Sequence, residues 1–231
     1  MFAVFHFYKK RVAAAIMVLV LAAGAIILFN LPQSNAAATP ITIAIDPGHG
    51  GYDGGVSGLQ TGAKESDINL SIALYARAYL QNVGYKVVLT RDRDRAPVEA
   101  GSVKRRDMDM RLAVINGAAA DLAVSIHCNF YPSRYRRGIQ VFYNKDADMP
   151  LAATMQSHLN DALNQSHIGR GFSPLWGDYY LLAQVPCPAV IVECGFLSNA
   201  EDEALLTDEN YRMTLAYEIC RAIEKTVAAT A

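Results

Sequence analysis

Residues 41–51 read ITIAIDPGHGG, an apolar, β-branched run that stops at a proline- and glycine-rich turn. Because β-branched residues favour strands and Pro-Gly pairs favour turns, residues 41–46 predict a strand that ends shortly before His49. Similar apolar runs predict further strands at Lys86–Thr90, Leu122–Ile126, Ile139–Tyr143 and Ala189–Val192.

Segments with apolar residues at helical spacing lie between these predicted strands. They predict helices at Ser66–Val83, Arg105–Asn116, Met149–Leu163 and Asp208–Thr226. Ser66 or Asp67 is expected to cap the first of these helices. Because strands alternate with helices, residues 41–231 are expected to form a single α/β domain. Its central sheet should be mostly parallel, with helices on both faces.

The composition is that of a folded protein, since 52% of the 231 residues are hydrophobic and 19% are charged. The formal net charge is −1, from 21 basic and 22 acidic side chains. This balance argues against nucleic acid as a partner, because proteins that bind nucleic acid present a basic surface. The four cysteines include no CxxC pair, so neither a disulfide scaffold nor a cysteine zinc site is expected.

The N-terminal segment, residues 1–40, is expected to be an export signal or a membrane anchor followed by a linker. Three basic residues at positions 9–11 precede the uncharged run Val12–Phe29, which predicts a hydrophobic helix. The small residues Ala36–Ala38 suit cleavage by a signal peptidase, whereas the length of the uncharged run suits a membrane-spanning anchor. Both interpretations place the remaining chain outside the cytoplasm, because the basic flank stays inside.

Polar side chains follow three of the predicted strands. His49 follows the first, His127 the third and Glu193 the last, while Glu65 lies just before the first helix. Since the carboxyl ends of parallel strands share one edge of a sheet, these groups should converge there. Two imidazoles and one carboxylate form a hydrolytic zinc site, and a second carboxylate near the bound water can act as a general base.

Each of these residues also has an ordinary structural interpretation. His49 could cap a turn, His127 could bond to the backbone, and Glu65 could be a first-turn acid favoured by the helix dipole. Glu193 is harder to explain in this way, because it follows an apolar run and a buried carboxylate needs a partner.

The sequence resembles the zinc-dependent N-acetylmuramoyl-L-alanine amidases over residues 41–225. The resemblance rests on five motifs in the family's order, namely residues 45–55 (IDPGHGGYDGG), 62–70 (GAKESDINL), 90–91 (TR), 111–129 (RLAVINGAAADLAVSIHCN) and 191–206 (IVECGFLSNAEDEALL). It implies that His49, Glu65 and His127 bind one Zn²⁺ per chain and that Glu193 is the catalytic glutamate.

The implied reaction is hydrolysis of the amide between the lactyl group of N-acetylmuramic acid and L-alanine of the stem peptide. Glu193 would take the proton of the attacking water and later protonate the leaving amine. Asp46 or Asn129 is expected to orient a ligand imidazole. Arg91 is expected either to meet a substrate carboxylate or to form a structural salt bridge.

The short exported domain and the basic stretch at residues 101–111 are similar to the germination-specific amidases of spore-formers. That resemblance implies a role in spore-cortex maturation, in which muramic lactam is formed. The implied partners are peptidoglycan glycan strands with stem peptides, a regulatory protein, and the membrane if the N-terminal segment stays uncleaved. Two alternatives remain open, namely another zinc peptidase of the envelope and a non-catalytic module that binds peptidoglycan or activates another enzyme.

The segment between Asn144 and Pro188 has room for only one helix and one loop, so an uncovered site is expected. Trp176 should lie in that loop, either lining a substrate groove or packing. Cys128 should face away from His127, because alternate residues of a strand point to opposite sides.

Overall fold

The computed structural model describes residues 40–94 and 104–230. The strands are β1 (Thr42–Pro47), β2 (Lys86–Leu89), β3 (Leu122–Asn129), β4 (Gln140–Tyr143), β5 (Leu175–Trp176) and β6 (Ala189–Phe196). The helices are α1 (Glu65–Asn82), α2 (Lys104–Gly117), α3 (Met149–Leu159), α4 (Gln165–Ile168), α5 (Tyr180–Gln184), α6 (Ala200–Thr207) and α7 (Glu209–Thr230). A 3-10 turn at Asp146–Asp148 precedes α3, and a π-helical turn at Asn160–Asn164 follows it.

The strands form a single mixed sheet in the order β2-β1-β3-β6-β4-β5. β2, β1, β3 and β6 are mutually parallel, whereas β4 runs antiparallel to β6 and β5 runs parallel to β4. The predicted α/β domain with a mostly parallel sheet is therefore confirmed. The strand β5 lies where the sequence predicts a loop around Trp176, and a strand of two residues is too short to show an alternating pattern.

Helices cover both faces of the sheet, as predicted. Alternate residues of β1 divide between two cores, because Ile43 and Ile45 face one layer and Ala44 faces the other. The first layer contains α1, α3 and α7, with buried residues that include Ile72, Leu80, Met155, Ile219 and Ile223. The second contains α2 and α5, with Leu112, Ile115, Leu181 and Leu182. Cys128 is buried in the first layer, away from the second, which confirms its predicted orientation.

The start of α1 differs from the prediction that Ser66 or Asp67 caps it. The helix begins at Glu65, and its N-cap residue Lys64 makes no side-chain capping bond. Carbonyl oxygens of the preceding loop take over this role, because the amide of Glu65 donates to Val56 (2.9 Å) and that of Ser66 donates to Gly54 (3.2 Å). The capping prediction was wrong because loop backbone satisfies the free amides at the helix end.

The N-terminal signal or anchor with its linker is predicted for residues 1–40, and all of these except Pro40 lie outside the described residues. Within residues 40–94 and 104–230, no helix combines the length and apolarity needed to cross a membrane.

Along part of the outer edge of β4, side-chain amides take the place of a neighbouring strand. Gln156 accepts a hydrogen bond from the amide of Val141 (2.7 Å) and donates to the carbonyl of Ile139 (3.1 Å). Asn164 accepts from the amide of Ile139 (2.8 Å) and donates to its carbonyl (2.9 Å). The two side-chain amides thus form the backbone hydrogen bonds that β5 is too short to provide.

Arg91 fixes the loop that follows β1. Its guanidinium is buried and donates to the carbonyl oxygens of Pro47 (3.0 Å) and Gly48 (2.9 Å). A third bond reaches the carbonyl of Ser66 in α1 (2.8 Å), so Arg91 ties the loop to that helix. Burial lowers the pKa of Arg91 to about 10, and it stays charged at neutral pH. A fourth bond, to the carbonyl of Arg93 (3.2 Å), leaves a single N–H group of Arg91 unused. Arg91 therefore acts within the fold and cannot bind a substrate carboxylate in a bidentate manner.

Arg111, in α2, completes this arrangement from the opposite layer. It donates to the carbonyl oxygens of Pro47 (2.8 Å) and His49 (2.7 Å). It also forms buried ion pairs with Asp46 (2.7 Å) and Asp107 (2.9 Å). The carbonyls of residues 47, 48 and 49 thus all accept from guanidinium groups.

Asp46 is the buried anion of this network. Its carboxylate accepts from Thr90 (2.5 Å), Ser125 (2.6 Å) and Arg111. Burial alone would raise the pKa of Asp46, but the charge of Arg111 and the two hydroxyl bonds outweigh it and lower the pKa to about 2. Because the pKa is lowered on folding, ionised Asp46 stabilises the fold above its unfolded pKa of about 4.

We expect Asp46→Asn to destabilise the protein at pH 7, with a pH-dependent part of about 2 kcal/mol. The difference from wild type should shrink as the pH falls from about 5 to 2, where Asp46 itself becomes protonated. Urea unfolding at several pH values measures this. Asp161→Asn, at an exposed position, is the control and should show little change. A destabilisation that does not vary with pH would contradict the assigned pKa.

Candidate active site

Three polar side chains meet at the carboxyl edge of the sheet. His49 follows β1, His127 lies near the end of the neighbouring strand β3, and Glu65 is the first residue of α1. Glu65 Oε1 lies 3.2 Å from His49 Nε2 and 3.0 Å from His127 Nδ1. One potential ligand atom from each residue lies within 4.8 Å of the others. The geometry thus brings together the three residues that the sequence predicts as metal ligands.

The glycines of this edge leave room for the cluster. A Cβ atom on Gly48 would lie 2.2 Å from the ring of His127. A Cβ atom on Gly55 would lie 2.5 Å from Glu65 Oε2, and the positive φ of Gly55 also disfavours a side chain. His49 itself adopts a φ of 61°, which is uncommon for a residue other than glycine. The backbone is therefore shaped around these three side chains.

Asp53 orients the His49 ring. Its Oδ2 lies 2.8 Å from His49 Nδ1, which leaves Nε2 directed at Glu65. Burial would lower the pKa of His49, but its bonds to Glu65 and Asp53 raise it overall. Asp53 was not found from the sequence, although it lies only four residues after His49, because that spacing becomes meaningful only with the loop bridge Gly50–Asp53.

The expectation that Asp46 or Asn129 orients an imidazole was wrong. Both oxygens of Asp46 are used by Thr90, Ser125 and Arg111 inside the sheet. Asn129 accepts from the amide of Leu197 through its backbone oxygen, and its side chain bonds to neither histidine among the described residues.

Glu65 is held as a buried carboxylate. Its Oε1 accepts from the amide of Cys128 (3.1 Å) and from Asn69 Nδ2 (3.3 Å), and its Oε2 accepts from the amide of Val56 (3.0 Å). Burial favours its neutral form, but bonds to the two histidines dominate and hold its pKa well below the usual range. Glu65 is therefore a fixed negative charge between two imidazoles, which suits a divalent cation.

Glu193 lies in β6, directly opposite His127 of β3 in the sheet register. It is 8% exposed, and its Oε2 has no hydrogen-bond partner in the described part of the chain. Burial raises its pKa to about 7, and the Glu65 charge adds to this while the two histidines oppose it. A buried carboxyl group with a free oxygen and a pKa near neutrality is suited to proton transfer.

A cavity of about 400 Å³ opens beside the two histidines, on the α2 and α5 side of the sheet. Its lining residues include His49, His127, Lys104, Tyr179, Tyr180 and Ile191. Burial and the charge of Glu193 raise the pKa of Tyr179 to about 12, so its hydroxyl stays protonated. Tyr179 and Lys104 were not predicted as site residues from the sequence, because only the folded chain brings them to this edge.

The segment between Asn144 and Pro188 contributes only Asp178–Leu181 to the lining of this cavity. Its helix α3 packs on the opposite face of the sheet.

Comparisons with known proteins agree with this geometry. The family model for N-acetylmuramoyl-L-alanine amidase matches residues 43–225. A germination-specific N-acetylmuramoyl-L-alanine amidase of Bacillus subtilis (strain 168) is 36% identical over 78% of this chain and 77% of its own length.

Two solved structures share the fold over most of the described chain. The CwlD amidase of Clostridioides difficile, solved in complex with the GerS lipoprotein, has a TM-score of 0.74 and 32% identity over 82% of this chain and 99% of that one. The catalytic domain of the CwlV amidase from Bacillus (Paenibacillus) polymyxa var. colistinus has a TM-score of 0.71 and 28% identity, over 81% and 98%. The chain belongs to the N-acetylmuramoyl-L-alanine amidase family.

Proposed function

We propose that this amidase uses one Zn²⁺ ion, held by His49, Glu65 and His127, to cleave the bond between the lactyl group of N-acetylmuramic acid and L-alanine. The observation that carries the proposal is the position of Glu65 Oε1, within 3.2 Å of a ring nitrogen of each histidine. Two imidazoles and a carboxylate are a donor set of hydrolytic zinc enzymes, which leave a fourth position for water. The low pKa of Glu65 supports this, because an ionised carboxylate attracts a cation.

The side chains around the cluster have separate roles in the proposed reaction. When bound, Zn²⁺ would polarise the scissile carbonyl and lower the pKa of a water molecule to about 7. Glu193 accepts a proton from the attacking water and returns one to the leaving amine of L-alanine, and its pKa of about 7 suits both steps. Asp53 holds Nδ1 of His49 and so keeps Nε2 directed at the cluster.

The relatives support a cellular location and a partner for this activity. Peptidoglycan lies outside the cytoplasm, so we infer that the catalytic domain acts in the cell envelope, consistent with the predicted export signal or anchor at residues 1–40. The relative of Bacillus subtilis is named a germination-specific amidase, which supports a role of this chain in germination. We infer that this chain acts on the spore cortex and contributes to muramic lactam formation. CwlD was solved in complex with the GerS lipoprotein, which supports a partner protein for this chain, and we infer that this partner is regulatory.

Glu193→Gln should lower hydrolysis of purified muropeptides by two to four orders of magnitude, roughly the contribution of a general base. The zinc content should stay near one ion per chain, because Glu193 is not a proposed ligand. Mass spectrometry of the products, with a count of new L-alanine amines, measures the reaction. Glu224→Gln on α7 is the control and should behave like wild type.

Two outcomes would contradict this assignment of Glu193 and of the cleaved bond. Full activity of Glu193→Gln would show that another group moves the proton. Cleavage within the stem peptide, with the lactyl amide intact, would identify an envelope peptidase.

Asp53→Asn should weaken zinc binding by about 10- to 100-fold, the usual effect of removing a carboxylate that orients a ligand histidine. Activity should fall at limiting zinc and recover when zinc is added. Zinc competition with a chromogenic chelator measures the affinity. Asp178→Asn, which changes an exposed residue of the same cavity, is the matched control. Equal zinc affinity in Asp53→Asn and wild type would refute the orienting role.

A further inference from the structure

We propose that a second cavity, lined by Arg136 and Arg170, binds a carboxylate of the stem peptide on the leaving-group side of the scissile amide. This inference rests on the proposed amidase function. The cavity has a volume of about 440 Å³ and is also lined by Gly138, Gln140, Phe172 and Leu175.

Two exposed arginines from separate segments line this cavity. Arg136 lies over the ring of Tyr131, 3.9 Å from its centroid, and Arg170 lies 5.1 Å from that of Phe172. Within residues 40–94 and 104–230, neither forms an ion pair. The aromatic rings restrain both side chains by cation–π contact while leaving the N–H groups available.

The acidic groups beside the cavity are already occupied. Arg137 pairs with Glu201 and with Asp202, whose Oδ1 lies 3.3 Å from Arg137 Nε. Asp202 Oδ2 accepts from the amides of Gly138 (2.7 Å) and Phe196 (2.9 Å). Arg137 and Asp202 therefore have structural roles. The charges of Arg136 and Arg170 therefore remain available, and they favour an anionic ligand.

Gln140 places this cavity beside the proposed catalytic carboxylate. It pairs directly with Glu193 across β4 and β6, so the two side chains are same-face neighbours. Adjacent strands lie about 4.8 Å apart, and one peptide residue extends about 3.5 Å. A stem peptide with its first residue at Glu193 thus reaches the cavity with its second or third residue.

The chemistry of the stem peptide matches this cavity. Beyond L-alanine, it carries a glutamyl residue with a free or amidated carboxyl group, and other free carboxylates follow. Guanidinium groups bind carboxylates in a bidentate manner. We therefore infer that Arg136 and Arg170 recognise the charge state of the peptide and so determine which muropeptides are cleaved efficiently.

The test compares two muropeptides that differ only in whether the carboxyl group of the second residue is free or amidated. Arg136→Gln, Arg170→Gln and the double variant are assayed with both. We expect KM for the free acid to rise about tenfold in the double variant, as for the loss of a hydrogen bond to a charged group, with kcat nearly unchanged. KM for the amidated substrate should change little. Arg134→Gln, an exposed arginine of the same loop outside the cavity lining, is the matched control.

The possible results distinguish a bound carboxylate on the second residue from one on the third residue, and both from the absence of a carboxylate site. One result is an equal rise in KM for both substrates in the double variant that disappears when the third residue is removed from the peptide. That result assigns the bound carboxylate to the third residue. Unchanged KM in all variants overturns the proposal while the amidase function stands. A wild-type enzyme without zinc-dependent hydrolysis would overturn the proposed function itself, independently of the arginine variants.

Discussion

The position of His49 depends on hydrogen bonds from buried guanidinium groups to backbone carbonyl oxygens. Arg91 and Arg111 come from different segments, and together they bind the carbonyls of residues 47, 48 and 49. A loop with left-handed residues would otherwise sample many conformations, because glycine costs the most conformational entropy on folding. The two arginines supply the donors that neighbouring strands supply elsewhere, and Asp46 neutralises part of their charge within the sheet.

The site built on this loop separates two carboxylates by environment. Glu65 accepts bonds from both histidines and stays ionised, whereas Glu193 lies one strand away with a free oxygen and a raised pKa. Burial favours the neutral form of both residues, but only Glu65 has hydrogen bonds from the histidines that outweigh it, and the charge of Glu65 raises the pKa of Glu193 further. The hydrogen bonds from the histidines therefore make one carboxylate a fixed anion, whereas the other, with an unpaired oxygen, is suited to proton transfer.

Much of the site could be predicted because parallel strands bring their carboxyl ends to one edge. That rule predicts the approach of His49, His127 and Glu193, although long stretches of sequence separate them. It cannot predict Asp53, whose role depends on the left-handed backbone at His49. Nor can it predict that Arg91 serves the backbone, because carbonyl oxygens carry no signature in sequence. The short elements β5, α4, α5 and α6 were missed for a similar reason, since segments of two to eight residues are too short to display a clear period.

The side-chain amides at β4 affect whether copies of the protein can associate through this strand edge. An uncovered strand edge offers a template for a second chain, and such templates lead to aggregation. Gln156 and Asn164 occupy the free donors and acceptors beside Ile139 and Val141 from within the same polypeptide. The sheet can therefore end after the short strand β5 without inviting an intermolecular strand at this position, even when many copies of the enzyme crowd together.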